Sequence, residues 1–114
     1  AKLLIQKGAN VNVKDKYGRT ALMLASLNRH TATAKLLIQK GANINAKTKN
    51  GGTALILASL NGRTAVAKLL IQKGANVNVK ITRGRFKGFT ALMLASKYRL
   101  TEIVKLLKRA GAKH

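Results

Sequence analysis

Two short apolar patterns alternate along the chain. The first, TALMLASLN at residues 20–28, returns as TALILASLN at 53–61 and as TALMLASKY at 90–98. Within it Ala21, Leu22, Leu24 and Ala25 form one stripe of a 3.6-residue helix, and the threonine ahead of them is an N-cap. The second pattern, AKLLIQKGAN, begins at 1, 34 and 67, which sets a period of 33 residues. Its Leu-Leu-Ile run makes one apolar helix face, its lysines near the C-terminus suit the helix dipole, and its glycine stops the helix. The pattern predicts helices over 1–7, 32–40, 65–73 and 102–110, with the last of them more polar.

Ahead of each first helix the chain changes period. Val11 and Val13 alternate with Asn12 and Lys14 and run into Tyr17, Gly18 and Arg19, which predicts an extended finger ending in a glycine turn. One unit is therefore finger, helix, corner, helix and glycine. A strict period of this length belongs to stacked-repeat proteins, whose units each bury a face on the next. The fold expected is a mainly α solenoid of helix-turn-helix units with hairpin-like fingers. It is a single domain over 1–114, divided into a partial unit at 1–16, units at 17–49 and 50–82, a finger insertion at 83–86 and a capping unit at 87–114.

Candidate chemistry adds little. The chain has no cysteine, which removes disulfides and thiolate metal sites. Asp15 and Glu102 are far apart in repeat terms, so no paired carboxylates exist for acid and base work. Ser26, Ser59 and Ser96 fill one repeated helix slot, as framework rather than nucleophiles, and His30 and His114 lack neighbouring ligand types. No phosphate loop of the GxxxxGK[ST] type is present. These observations predict neither an enzyme nor a cofactor. No apolar run reaches the roughly 20 residues of a membrane span, and none resembles a signal peptide, so a soluble chain without membrane insertion is expected.

Charge changes the picture more. Lysine and arginine number 23 against two acids, a formal net charge of +21. Such a chain repels itself when compact and is drawn to acidic surfaces or polyanions. High net charge also resists aggregation, so solubility alone is a competing explanation.

The framework G-x-T-A-L-x-L-A-S, followed by A-K-L-L-I-Q-K-G-A-N-x-N at a period of 33, resembles the ankyrin repeat over the whole chain. The family's T-P-L-H tetrapeptide is altered to TALM at 20–23 and 90–93 and to TALI at 53–56. Thr33 occupies the slot of Val66 and Ile103, where full burial of its hydroxyl would cost about 1 to 3 kcal/mol without a partner. Arg29 and Arg99 stand in the corner slot kept as Gly62. The resemblance also sets Gln6, Gln39 and Gln72 where the family commonly has Glu, and Asn10, Asn43 and Asn76 where it commonly has Asp. Ala32 and Ala65 fill the slot in which Glu102 survives. We read this as removal of negative charge with the scaffold kept; restoring the acids at the six amide sites should then leave folding intact, and a large loss of stability would overturn it.

The resemblance implies a non-enzymatic binding module that uses its finger tips and the concave side of its first helices. On the first finger that surface is Lys14, Lys16, Tyr17 and Arg19, and on the second Lys47, Lys49 and Asn50. On the third, Arg83, Arg85, Phe86 and Lys87 project from ITRGRFKGF, which is four residues longer than the stretch from Asp15 to Arg19. Arginines with an exposed aromatic suit phosphates and a stacked base or a protein partner, whereas Ile81 or Phe86 folded back would make an ordinary loop insertion. Lys2, Lys7, Lys35, Lys40, Lys68 and Lys73 fall on second helices, so charge covers both sides. The leading expectation is an acidic protein partner. Nucleic acid or another polyanion is the second, and a charge-engineered scaffold without an evolved ligand is the third. Because the sequence starts inside a unit, the first helix face is expected to lack the helices that would cover it, so that either the chain is a fragment of a longer array or self-association covers that face.

Overall fold

The structure is a computed structural model that describes residues 11–112. The helix expected over 1–7, its uncovered face and the self-association assigned to it lie outside those residues, as do Gln6, Asn10 and His114. Three threonines start the first helices. Thr20, Thr53 and Thr90 stand in extended backbone, and each side chain accepts the amide hydrogen three residues on at 3.2–3.3 Å. The helices they cap are α1 (Ala21–Leu27), α3 (Ala54–Leu60) and α5 (Ala91–Lys97). In α1 the methionine that replaces the family's histidine completes the cap, because the Thr20 amide donates to Met23 Sδ at 3.3 Å. Ile56 has no such acceptor, and its helix keeps the threonine bond alone.

The second helices, α2 (Thr31–Gln39), α4 (Thr64–Gln72) and α6 (Thr101–Arg109), start one residue earlier than the apolar pattern predicts. The reason is the corner. Arg29, Gly62 and Arg99 adopt left-handed backbone with φ of 65°, 69° and 57°, so one residue reverses the chain. The next amide is already turned back, as His30 N–H donates to the Ala25 carbonyl at 2.9 Å, and helix follows at once.

Each first helix packs on the second helix of its unit, while α1, α3 and α5 lie side by side in one layer and α2, α4 and α6 in another. Leu22, Leu55 and Leu92 fill one layer, and Leu37, Leu70 and Leu107 fill the other. The stack measures 40 × 26 × 22 Å. Among the described residues there are six helices and no strand. Ser26 and Ser59 are buried framework as expected, their hydroxyls donating to the carbonyls of Leu22 and Leu55 at 2.6 and 2.7 Å, whereas Ser96 is exposed.

One core expectation needs correction. Leu24, assigned to the buried stripe, is 36% exposed, while Met23 on the neighbouring position is buried. The slot is covered in the later units, where its equivalents Leu57 and Leu94 are half-buried and fully buried. Thr33 is half-exposed where Val66 and Ile103 are buried, so its hydroxyl does not incur the full desolvation cost.

Asparagines join the units on the outer turns. Asn12 Oδ1 accepts from the Asn43 amide at 2.6 Å and Asn45 Oδ1 from the Asn76 amide at 2.8 Å. Asn43 and Asn76, in the slots of the family's aspartate, accept from Asn45 and Asn78 amides through Oδ1 at 3.0 and 2.9 Å. An amide oxygen supplies the acceptor at both turns.

Candidate functional site

The three fingers share one neck. Asp15 N–H donates to the Arg19 carbonyl at 2.9 Å, Thr48 N–H to Gly52 at 2.8 Å, and Ile81 N–H to Phe89 at 2.9 Å. A second bond closes each tip: Gly18, Gly51 and Gly88 amides donate back to the carbonyls of Asp15, Thr48 and Ile81. The third finger is thus the same hairpin-like turn with four residues added beyond an unchanged neck.

The neck side chain differs from finger to finger. Asp15 accepts through one oxygen from the Tyr17 and Arg19 amides, both at 2.9 Å, and through the other from Arg19 Nε at 2.8 Å. These bonds, the Arg19 amide first, hold the carboxyl below its ordinary value. Thr48 keeps one bond of this kind, its Oγ1 accepting from Gly52 N–H at 3.1 Å. Ile81 has no acceptor and is instead buried in the core.

The fingers are tied into a row by their backbones. Lys49 N–H donates to the Tyr17 carbonyl at 3.1 Å, and the Thr82 and Arg83 amides donate to the Asn50 carbonyl at 2.8 and 3.3 Å. Glycine is required where they meet: a Cβ on Gly18 would lie 2.9 Å from Lys49 N, and one on Gly51 would lie 2.7 Å from Thr82 Oγ1.

At the first tip, Lys16 Nζ and Arg19 Cζ lie 5.1 and 4.9 Å from the centre of the exposed Tyr17 ring. Lys14 points along the row, donating to the Lys47 carbonyl at 3.0 Å. Lys16, Lys47, Lys49, Arg83, Arg85 and Lys87 are all exposed. The only ion pair among the described residues joins Arg19 to Asp15, so no described carboxylate neutralises the other finger cations.

Phe86 does not project. It is half-buried against the core, with its ring 5.6 Å from that of Phe89 at 65° and with Arg85 Cζ 5.5 Å from its centre. Turned inward, it becomes a wall of a cleft of about 210 Å³ between the second and third fingers and α3. Ile56, Leu57, Leu60 and Ile81 supply the apolar lining, and Asn50, Arg83 and Arg85 stand at its polar side. The structure thus brings Asn50, Arg83, Arg85 and Phe86 together. It holds Lys16, Tyr17 and Arg19 apart from them at the first tip, and Lys87 is not part of the cleft. The α3 residues were missed by reading the sequence, although Leu60 had a visible signal: it lies outside the apolar stripe of its helix.

Stacked helix pairs with a row of loops along one edge define a helical-repeat scaffold, a class that binds through an open face rather than an enclosed pocket. Sequence comparison agrees. The chain belongs to the ankyrin-repeat family: the signature described as Ankyrin repeats (3 copies) matches residues 1–81 and 47–114. Over 30 residues it is 63% identical to the Fibronectin type 3 and ankyrin repeat domains 1 protein of Mus musculus, a match that covers 26% of this chain and 9% of that protein. Ankyrin repeats are generally protein–protein interaction modules, and the family is typically non-enzymatic. No helix among the described residues is long and apolar enough to cross a membrane.

Proposed function

We propose that this chain is a non-enzymatic binding module whose basic fingers and concave face engage an acidic protein partner. The observation that carries the reading is the finger row itself. Exposed cations on three tips are held in register by backbone bonds, and the single finger carboxylate is already spent on Arg19. Such a row favours a complementary acidic surface and speeds encounter with it. Phe86 turned inward favours a protein partner over a stacked base, since its ring is packed on Phe89 instead of being presented to solvent.

The test is binding to an acidic polypeptide, to duplex DNA and to single-stranded DNA across a salt series. The reading expects the polypeptide to bind, and Lys16→Gln/Lys49→Gln/Arg83→Gln to weaken it more than Lys35→Gln/Lys68→Gln/Lys73→Gln on the second helices. Equal losses from the two sets would mean a general charge effect without a dedicated face, as expected of a scaffold charged for solubility. Nucleic-acid binding with sequence or structure preference that persists at raised salt would replace the protein reading with a nucleic-acid one.

A further inference from the structure

The cleft under the third finger sets an apolar hollow beside the charge of the row. Its volume, about 210 Å³, falls below the roughly 300 Å³ at which small-molecule and cofactor pockets begin, and suits one large side chain. Its lining is chiefly apolar, from Ile56, Leu57, Leu60, Ile81 and Phe86. Polar groups at its edge are mostly committed. The Thr48 hydroxyl accepts from Gly52, and the Asn50 carbonyl accepts from both Thr82 and Arg83. What remains for a ligand is an apolar hollow with the Asn50 side chain and two exposed guanidiniums beside it, neither guanidinium in an ion pair among the described residues.

We infer that this cleft takes a single large apolar side chain of an acidic peptide segment, with flanking carboxylates on Arg83 and Arg85. The inference rests on the acidic-partner reading and adds a specificity element to it. Charge complementarity selects the occupant. A bare hydrocarbon partner would leave both guanidiniums unmatched, and an oligoglutamate without an anchor would leave the hollow unfilled. Arginine suits the role because its planar fork grips a carboxylate in bidentate fashion. Arg85 is also placed by its contact with Phe86, which links the charged edge to the apolar wall.

The test uses fluorescein-labelled oligoglutamates with one central leucine or, at the same charge, one central alanine, measured by fluorescence anisotropy. The leucine peptide should bind roughly tenfold tighter, as expected for half-burying the carbons by which leucine exceeds alanine. Leu60→Gln should bring the leucine peptide down to the alanine level and leave the alanine peptide unchanged. Arg83→Gln/Arg85→Gln should weaken both, and more than Lys16→Gln/Lys49→Gln does at the same loss of charge. Circular dichroism melting of each variant checks that it folds, and the arginine pair, being exposed, reads the cleft independently of Leu60. Equal binding of the two peptides, or a leucine advantage that survives Leu60→Gln, overturns the anchor site while leaving the acidic-partner reading standing. If neither peptide binds at any salt and a single-stranded oligonucleotide does, both fall together.

Discussion

Arg29 and Arg99 hold left-handed backbone that Gly62 holds in the middle unit at almost the same φ. For a residue with a Cβ this conformation costs about 1 kcal/mol relative to glycine, and neither arginine is buried in compensation. Arg29→Gly and Arg99→Gly should each raise stability by about 0.5–1 kcal/mol in urea denaturation, with Gly62→Arg moving it the other way. Asp15 gives a pH prediction. Its carboxyl is held below its ordinary value, chiefly by the Arg19 amide, so its stabilising effect on the first tip is complete above the ordinary value and fades as the pH falls through the lowered one. An acid titration followed by the Tyr17 and Arg19 amide resonances should show both shifting together at a pH below the ordinary carboxylate range, and Asp15→Asn should remove the transition. A titration in which the two amides stay still would mean that the carboxylate is not closing the turn.

At the scale of elements, the helices were legible because their signals are local. Threonine caps, Leu-Leu-Ile faces and closing glycines sit within a few residues of one another, and the structure moved the second helices by only one position. What fixed that position, a left-handed arginine, has no local signature, and it was visible only against Gly62 in the same slot. The cleft was less legible than the fingers that frame it. The charge of Arg83 and Arg85 is plain in the sequence, whereas the inward turn of Phe86 depends on Phe89 across the neck, and the lining depends on α3 from the preceding unit. The second helices also lack acids where they would help. Neither α2 nor α4 has a side-chain cap or an acid in its first turn, while α6 has Glu102 there. Ala32→Glu and Ala65→Glu should each stabilise by about 0.3–1 kcal/mol through the helix dipole, read as a higher Tm at low salt. No gain from either would show that the missing acids were not a cost to the helices.

For the whole molecule the governing quantity is the net charge of +21 on a stack only 40 Å long. The screening length grows from roughly 8 Å in physiological salt to roughly 30 Å at low salt, so many more like-charge pairs on a stack of this size repel one another when salt is low. Self-repulsion should therefore lower Tm at low ionic strength, and adding a simple salt should raise it, as differential scanning calorimetry would record. A Tm independent of salt would mean that repulsion persists equally in the unfolded chain.

The shared neck has one further consequence. Because the 15–19, 48–52 and 81–89 turns close on equivalent bonds, a tip can change length without opening its neck. Lengthening a tip from five residues to nine adds only about 0.5 kcal/mol of loop-closure entropy. Tips of different length and chemistry can thus be carried on one neck, and the third finger shows what such a change involves: a longer tip whose Ile81 and Phe86 pack down onto the core beneath an unchanged closure.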